Sequence, residues 1–183
     1  MIRPATENTS PIDFRNLGYV RVCAATPTLT IGDAAANAET ILAQADALAD
    51  QGVSLAVFPE LCLTGYSAED LFFSEALLAQ TRRALIQLQR TRVPLMAVGA
   101  PWRLADGRMV NCAVMIGNGR VLGMVPKSFL PNYSEFYEQR WFVSGAGVNE
   151  TEVDPDLGTF LSLIHISEPT RPRLISYAVF CLK

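Results

Sequence analysis

Two charged side chains stand where apolar runs break off: Glu60 follows the run 54–58 and Pro59, and Lys127 follows the run 120–126. Proline ends a strand because it has no ladder donor, so each charge is expected at a strand tip, where α/β proteins usually carry their chemistry. A carboxylate and an ammonium gathered at one place suit acid–base chemistry: the carboxylate can take and return a proton, while the ammonium can hold a developing negative charge. The alternative is a structural ion pair, which contributes only about 0 to 1 kcal/mol when exposed.

The elements that would position these residues read clearly. Residues 19–25 alternate into a strand, and Asp33 is an N-cap for a helix over 34–50 that Gly52 stops. A second strand over 54–58 delivers Glu60, and a helix over 74–90 follows, with Leu77, Leu78, Leu85, Ile86 and Leu88 on its packing side. A third apolar strand over 93–99 completes the order strand, helix, strand, helix, strand, which favours parallel pairing with helical crossovers. The runs 109–116 and 120–126 are joined by Asn118-Gly119, a dipeptide suited to a tight hairpin turn, and the second arm ends at Pro126-Lys127. Gly117, Gly119 and Gly123 sit in this hairpin, not at a strand-to-helix turn, so they form no dinucleotide fingerprint.

Composition removes several function classes. The chain has 183 residues, half of them apolar, enough for one domain with a sizeable core. A net charge of -3 with no basic stripe argues against a nucleic-acid surface. No apolar stretch approaches the roughly 18 residues that cross a bilayer, and the first residues have no secretion core, so a cytoplasmic protein without membrane partners is expected. Cys23, Cys62, Cys112 and Cys181 form no CxxC pair, and His165 is the lone histidine. A metal site is not expected, and the first three cysteines read as small buried hydrophobes.

Several motifs in order carry a resemblance. Phe58-Pro59-Glu60-Leu61-x-Leu63-x-Gly65-Tyr66, the hairpin residues Asn111, Ala113, Gly119, Leu122 and Gly123, and Pro126-Lys127 resemble the nitrilase superfamily of carbon-nitrogen hydrolases. Gly65-Tyr66-x-x-Glu69-Asp70-Leu71, with Lys127-Ser128-Phe129-Leu130-Pro131-Asn132-Tyr133-x-Glu135-Phe136-Tyr137-Glu138, is similar to the amino-terminal glutaminase domains of glutamine-dependent NAD+ synthetases. The resemblance implies an α/β fold, the nitrilase-type α-β-β-α sandwich, in which two sheets pack face to face between helix layers. It also implies a glutamine substrate, with Glu60 as general base, Lys127 as oxyanion stabiliser, Glu135 as the carboxylate that supports the lysine, and Tyr133 beside the bound glutamine. Tyr137 reads as a pocket wall, and Glu138 as either a site charge or a solvated loop charge. The domain itself is expected to need no cofactor. ATP and Mg belong to the synthetase domain of the parent chain, and the parent is expected to be a homo-oligomer.

The pattern then breaks. The family's nucleophile stands in an Ile-Cys-Glu-Asp-like motif past the lysine, and this chain has no such motif. Residues 161–183 resemble the conceptual translation of a transposase-type sequencing adapter read through into an open frame. The expected organisation is therefore a flexible leader over 1–17, a partial glutaminase domain over 18–160 that is incomplete at its C-terminus, and a non-native tail over 161–183. In that tail His165 and Cys181 play no catalytic part. Cys181 could end a strand, but Leu182-Lys183 follows where the family has Glu-Asp. The chain as it stands is expected to be inactive. Two other readings keep the same residues: a fragment of a stand-alone amidase of the superfamily, and a non-catalytic interaction or regulatory module on the same scaffold.

Overall fold

The structure, a computed structural model, describes residues 18–146, 148, 151–154 and 156–162, with backbone alone for 151–153 and 158–162. In chain order the elements are β1 (Val22–Ala24), α1 (Ala34–Asp50), β2 (Leu55–Val57), a 3-10 segment (Tyr66–Phe73), α2 (Glu75–Leu88), β3 (Leu95–Arg103), β4 (Met109–Gly117), β5 (Arg120–Pro126), the helical turn α3 (Glu138–Trp141), β6 (Thr151–Asp154) and β7 (Gly158–Ser162). The strands form one seven-stranded sheet in the order β1-β2-β3-β4-β5-β7-β6. β1, β2 and β3 run parallel, β3-β4-β5 is an antiparallel meander, and β7 returns parallel to β5.

Local sequence explains most of these bounds. The Asp33 carboxylate accepts from Ala36 N at 3.1 Å and caps α1, and Gly52 at φ +74 turns the chain away after it. Asn118 and Gly119, at φ +51 and +71, make the β4–β5 turn with both central residues left-handed, as a two-residue hairpin requires. β3 runs to Arg103, beyond the strand expected over 93–99, because β4 pairs with it along its whole length, from Leu95↔Gly117 to Arg103↔Met109. β1 is shorter than the run 19–25. It is an edge strand on a three-residue partner, and Tyr19 and Val20 stand exposed before it.

Alternation along the strands divides the sheet into two faces. Met96, Val98 and Ala100 of β3 and Val110, Cys112, Val114 and Ile116 of β4 face a core shared with Ala38, Ile41 and Ala45 of α1 and Ala84, Leu85 and Leu88 of α2. Full burial of a side chain such as Ile41 or Leu88 contributes about 1.5 to 3 kcal/mol relative to exposure. Asn111 and the half-buried Ala113 and Met115 alternate to the other face. The described residues thus supply one sheet with α1 and α2 against it, and the second sheet of the expected sandwich is not among them. A separate smaller core gathers Leu61, Ala68, Phe72, Leu77, Met109 and Phe142. There Phe72 packs on Phe142 with ring centroids 4.9 Å apart and edge-on to Trp141 at 5.8 Å, which fastens α3 to the 3-10 segment.

The expected leader over 1–17 lies outside the described residues. Of the expected tail only Leu161 and Ser162 are described. Their backbone ends β7 and pairs with Gly123 and Met124 of β5.

Candidate active site

Glu60 is carried by a tight loop over 59–65 that crosses from one core to the other. Phe58, Cys62 and Leu63 pack into the main core, whereas Leu61 turns into the smaller one at φ +50 and is 1% exposed. Three ties hold the loop. Leu63 N donates to Gly99 O at 3.1 Å, Asn37 Nδ2 donates to Leu63 O at 3.0 Å, and Gly32 N donates to Thr64 O at 2.8 Å. Asn37 is itself buried, and its side chain also exchanges both hydrogen bonds with the Thr30 backbone, so its polar atoms are satisfied.

Lys127 leaves the tip of β5 with its backbone N–H donating to Asn111 O at 2.7 Å. Its Nζ donates to Glu60 Oε1 at 2.7 Å and to Glu138 Oε1 at 2.9 Å, so one ammonium joins two carboxylates. Asn111 Nδ2 donates to the same Glu60 oxygen, and the Tyr66 hydroxyl donates to Glu138 Oε1 at 2.7 Å. Glu138 is 2% exposed, and its Oε2 is buried with no donor among the described residues. Burial pulls the Lys127 ammonium down, but the hydrogen bonds and charges of Glu60 and Glu138 outweigh it and hold the group above the usual lysine value. Tyr66 is pushed well up, first by burial and then by its bond to the Glu138 carboxylate.

The residues expected at the site divide. Glu60 and Lys127, remote in sequence, meet directly. Glu135, expected to support the lysine, is exposed and makes none of these bonds; the second carboxylate on Lys127 is Glu138. The reason is local. Ser134 at φ +53 turns the loop so that Glu135 faces out, while Glu138 N bonds Pro131 O and opens α3 against the smaller core. Tyr133 is 68% exposed and lies edge-on to Phe136, outside the hydrogen-bonded set. Asp70 binds α3 from the 3-10 segment, accepting from Arg140 Nε and Nη2 at 2.8 Å each and from Trp141 Nε1 at 2.9 Å, which holds its carboxyl well below the usual range.

Cys62 and Cys112 are buried in the helix-facing core, and burial pushes the Cys62 thiol up to about 12. Cys112 alternates away from Asn111, and Cys23 lies in β1. Cys181 and His165 lie outside the described residues. No group of three His, Cys, Asp or Glu among the described residues could hold a metal ion, and no described helix is long and apolar enough to cross a membrane.

Residues 19–166 match the carbon-nitrogen hydrolase family. The chain belongs to that family. Among its carbon-nitrogen hydrolase relatives, a glutamine-dependent NAD+ synthetase of Mycobacterium bovis is 49% identical over 137 residues, which are 73% of this chain and 20% of the relative. The crystal structure of a glutamine-dependent NAD+ synthetase from Cytophaga hutchinsonii has a TM-score of 0.71 at 28% identity, covering 78% of this chain and 25% of that one. A synthetase of the same description from Acinetobacter baumannii, in complex with ADP, has a TM-score of 0.66 at 33% identity, covering 76% and 26%. The chain therefore spans about a fifth of the length of the curated relative and about a quarter of the solved ones.

For this carbon-nitrogen hydrolase the sequence left Glu138 open between a site charge and a solvated loop charge, and gave Asn111 only as a motif residue with no role. Asn111 carries a signal, being a lone polar residue in an apolar strand, which needs a partner when buried. Glu138 carries little signal of its own, because its burial is created by the 3-10 segment and α3 closing on each other.

Proposed function

We propose that this chain supplies the acid–base and oxyanion part of a glutamine amidohydrolase site, whose ammonia feeds an NAD+ synthetase in the parent protein. The observation that supports the reading most is Lys127 Nζ within 2.7 Å of Glu60 Oε1 and 2.9 Å of Glu138 Oε1, in a chain 49% identical to a named synthetase. Glu60 takes the proton of a thiol, and the resulting thiolate attacks the side-chain carbonyl carbon of glutamine. Lys127 holds the oxyanion of the tetrahedral intermediate, with Glu138 fixing its direction. As the intermediate collapses the carbon–nitrogen bond breaks, and Glu60 returns the proton to the departing ammonia. The same carboxylate then activates water to hydrolyse the thioester. Tyr133 keeps its proposed place beside the glutamine, and Glu135 has no role in this scheme.

Cys23, Cys62 and Cys112 do not provide the thiol, so the chain as given is proposed to be inactive by itself. ATP, with Mg, is proposed to act in the synthetase domain of a homo-oligomeric parent. Free cysteines suit a reducing compartment, which supports a cytoplasmic location.

A chimera tests the reading. Residues 54–146 replace the matching segment of the Mycobacterium bovis relative, and glutamine-dependent ammonia release is measured. Activity is expected to persist and to fall about 10²- to 10⁴-fold on Glu60→Gln and about 10²- to 10³-fold on Lys127→Met. A folded chimera that hydrolyses glutamine equally well with either substitution would refute it. The unmodified 183-residue chain should release no ammonia, and turnover that disappears on Cys181→Ala would show that it carries its own nucleophile.

A further inference from the structure

Gly99 of β3 lies directly under the backbone that carries Glu60. A Cβ built there would stand 2.2 Å from Leu61 N, 2.6 Å from Pro59 O and 2.7 Å from the Glu60 carbonyl carbon. All three are main-chain atoms, so no side-chain rotation could make room. The position needs glycine for space, since its φ lies outside the left-handed range. The carbonyl of the same residue anchors the far side of the loop, taking Leu63 N at 3.1 Å and Cys62 Sγ at 3.7 Å. Above it Leu61 is held at φ +50, a left-handed conformation that is unfavourable for a residue with a side chain. That turn sends Leu61 into the smaller core while its neighbours enter the main one. A strained turn pressed onto a bare patch of sheet, with a carboxylate at its crest, is a device for setting one carboxylate's position.

We propose that Gly99 is a positioning residue for Glu60: by letting the 59–61 backbone rest on the sheet, it sets the distance between the Glu60 carboxylate and the Lys127 ammonium. The inference deepens the proposed role of Glu60 as base and rests on it for its catalytic meaning. Restoring ordinary van der Waals contact around an added methyl requires the loop to lift by roughly 1 Å, a displacement large enough to cost about 10²-fold in a reaction that depends on geometry.

The test reads position without turnover. The chain contains two lysines, Lys127 and Lys183, so labelling lysine Nζ with nitrogen-15 gives two side-chain signals, which Lys183→Arg assigns. The full chain is titrated by NMR as the unsubstituted protein, as Glu60→Gln, as Gly99→Ala and as the double variant. Glu60→Gln should lower the Lys127 midpoint. Gly99→Ala should lower it by more than half as much, and in the Glu60→Gln background it should add nothing, which a merely structural effect would not reproduce. A folded Gly99→Ala with the unsubstituted midpoint, or an equal shift in both backgrounds, overturns the proposal. If Glu60→Gln leaves Lys127 unmoved, the pairing beneath the proposal fails with it, and that arm identifies the cause. Should Gly99→Ala not fold, hydrogen exchange on the unsubstituted chain decides: a protected Leu63 amide supports the docked loop, and exchange at the rate of exposed amides overturns it.

Discussion

Lys127 holds two carboxylates apart as much as it serves either. With Glu60 two-fifths exposed and Glu138 buried, removing the ammonium leaves the Glu138 charge without its cation, and an uncompensated buried charge is among the most costly defects a fold can carry. Lys127→Met should therefore lower the urea unfolding free energy by about 2 to 3 kcal/mol, below the value for a fully buried pair because the lysine is partly open to water. Glu138→Gln in that background should recover part of the loss, since the neutral amide keeps the shape and still accepts from Tyr66. If the two losses simply add in the double variant, Glu138 is not the group that Lys127 compensates. Glu60 and Lys127 were legible in the sequence because each interrupts an apolar run at a proline. Glu138 was legible only as one of two open readings, since the family likeness pointed to Glu135 as the supporting carboxylate, and the left-handed turn at Ser134 that exposes Glu135 has no glycine to announce it.

The elements carry the site by their ends. α1 begins at a side-chain cap, and its first turn brings Asn37 to the loop that follows Glu60. Asp33→Ala should lower stability by about 1 kcal/mol, read in thermal unfolding, as loss of an N-cap oxygen does elsewhere. No change would mean that α1 starts without that cap. At this scale the sequence spoke through period and punctuation. Asp33, Gly52 and Asn118-Gly119 marked boundaries that the structure keeps, whereas the 3-10 segment had no period to read because Glu69 at φ +50 breaks it internally. β6 and β7 escaped as well. They are short, and the hairpin they form is tied to α2 by Arg82, whose guanidinium binds Asp154 and Asp156, a long-range arrangement that no local signal announces.

Taken whole, the sheet has one face packed by α1 and α2 and another on which Leu95, Ala113, Met115 and Val125 are half-exposed and Leu122 is open. Apolar surface of that kind associates in water. Sedimentation velocity on the 183-residue chain should show concentration-dependent association that Met115→Lys reduces, and a monomer at all concentrations would mean that the face is covered in solution. The parallel pairing of β1, β2 and β3 was readable from the alternation of strand and helix, and the β4–β5 hairpin from Asn118-Gly119, whereas the antiparallel seating of β4 on β3 had no local signal and the second sheet expected from the family likeness lies outside the described residues. What the whole arrangement must achieve is the meeting of Glu60 and Lys127 from separate strands. The nitrogen-15 titration of the Lys127 ammonium in the native chain, against the same signal in urea, reads that meeting directly. With Glu60 and Glu138 beside it, the folded group should hold its proton to higher pH than the unfolded one. Its contribution to stability is then complete below the unfolded value of about 10.4 and is lost as pH rises through the folded value. A folded midpoint at or below the unfolded one would contradict the account.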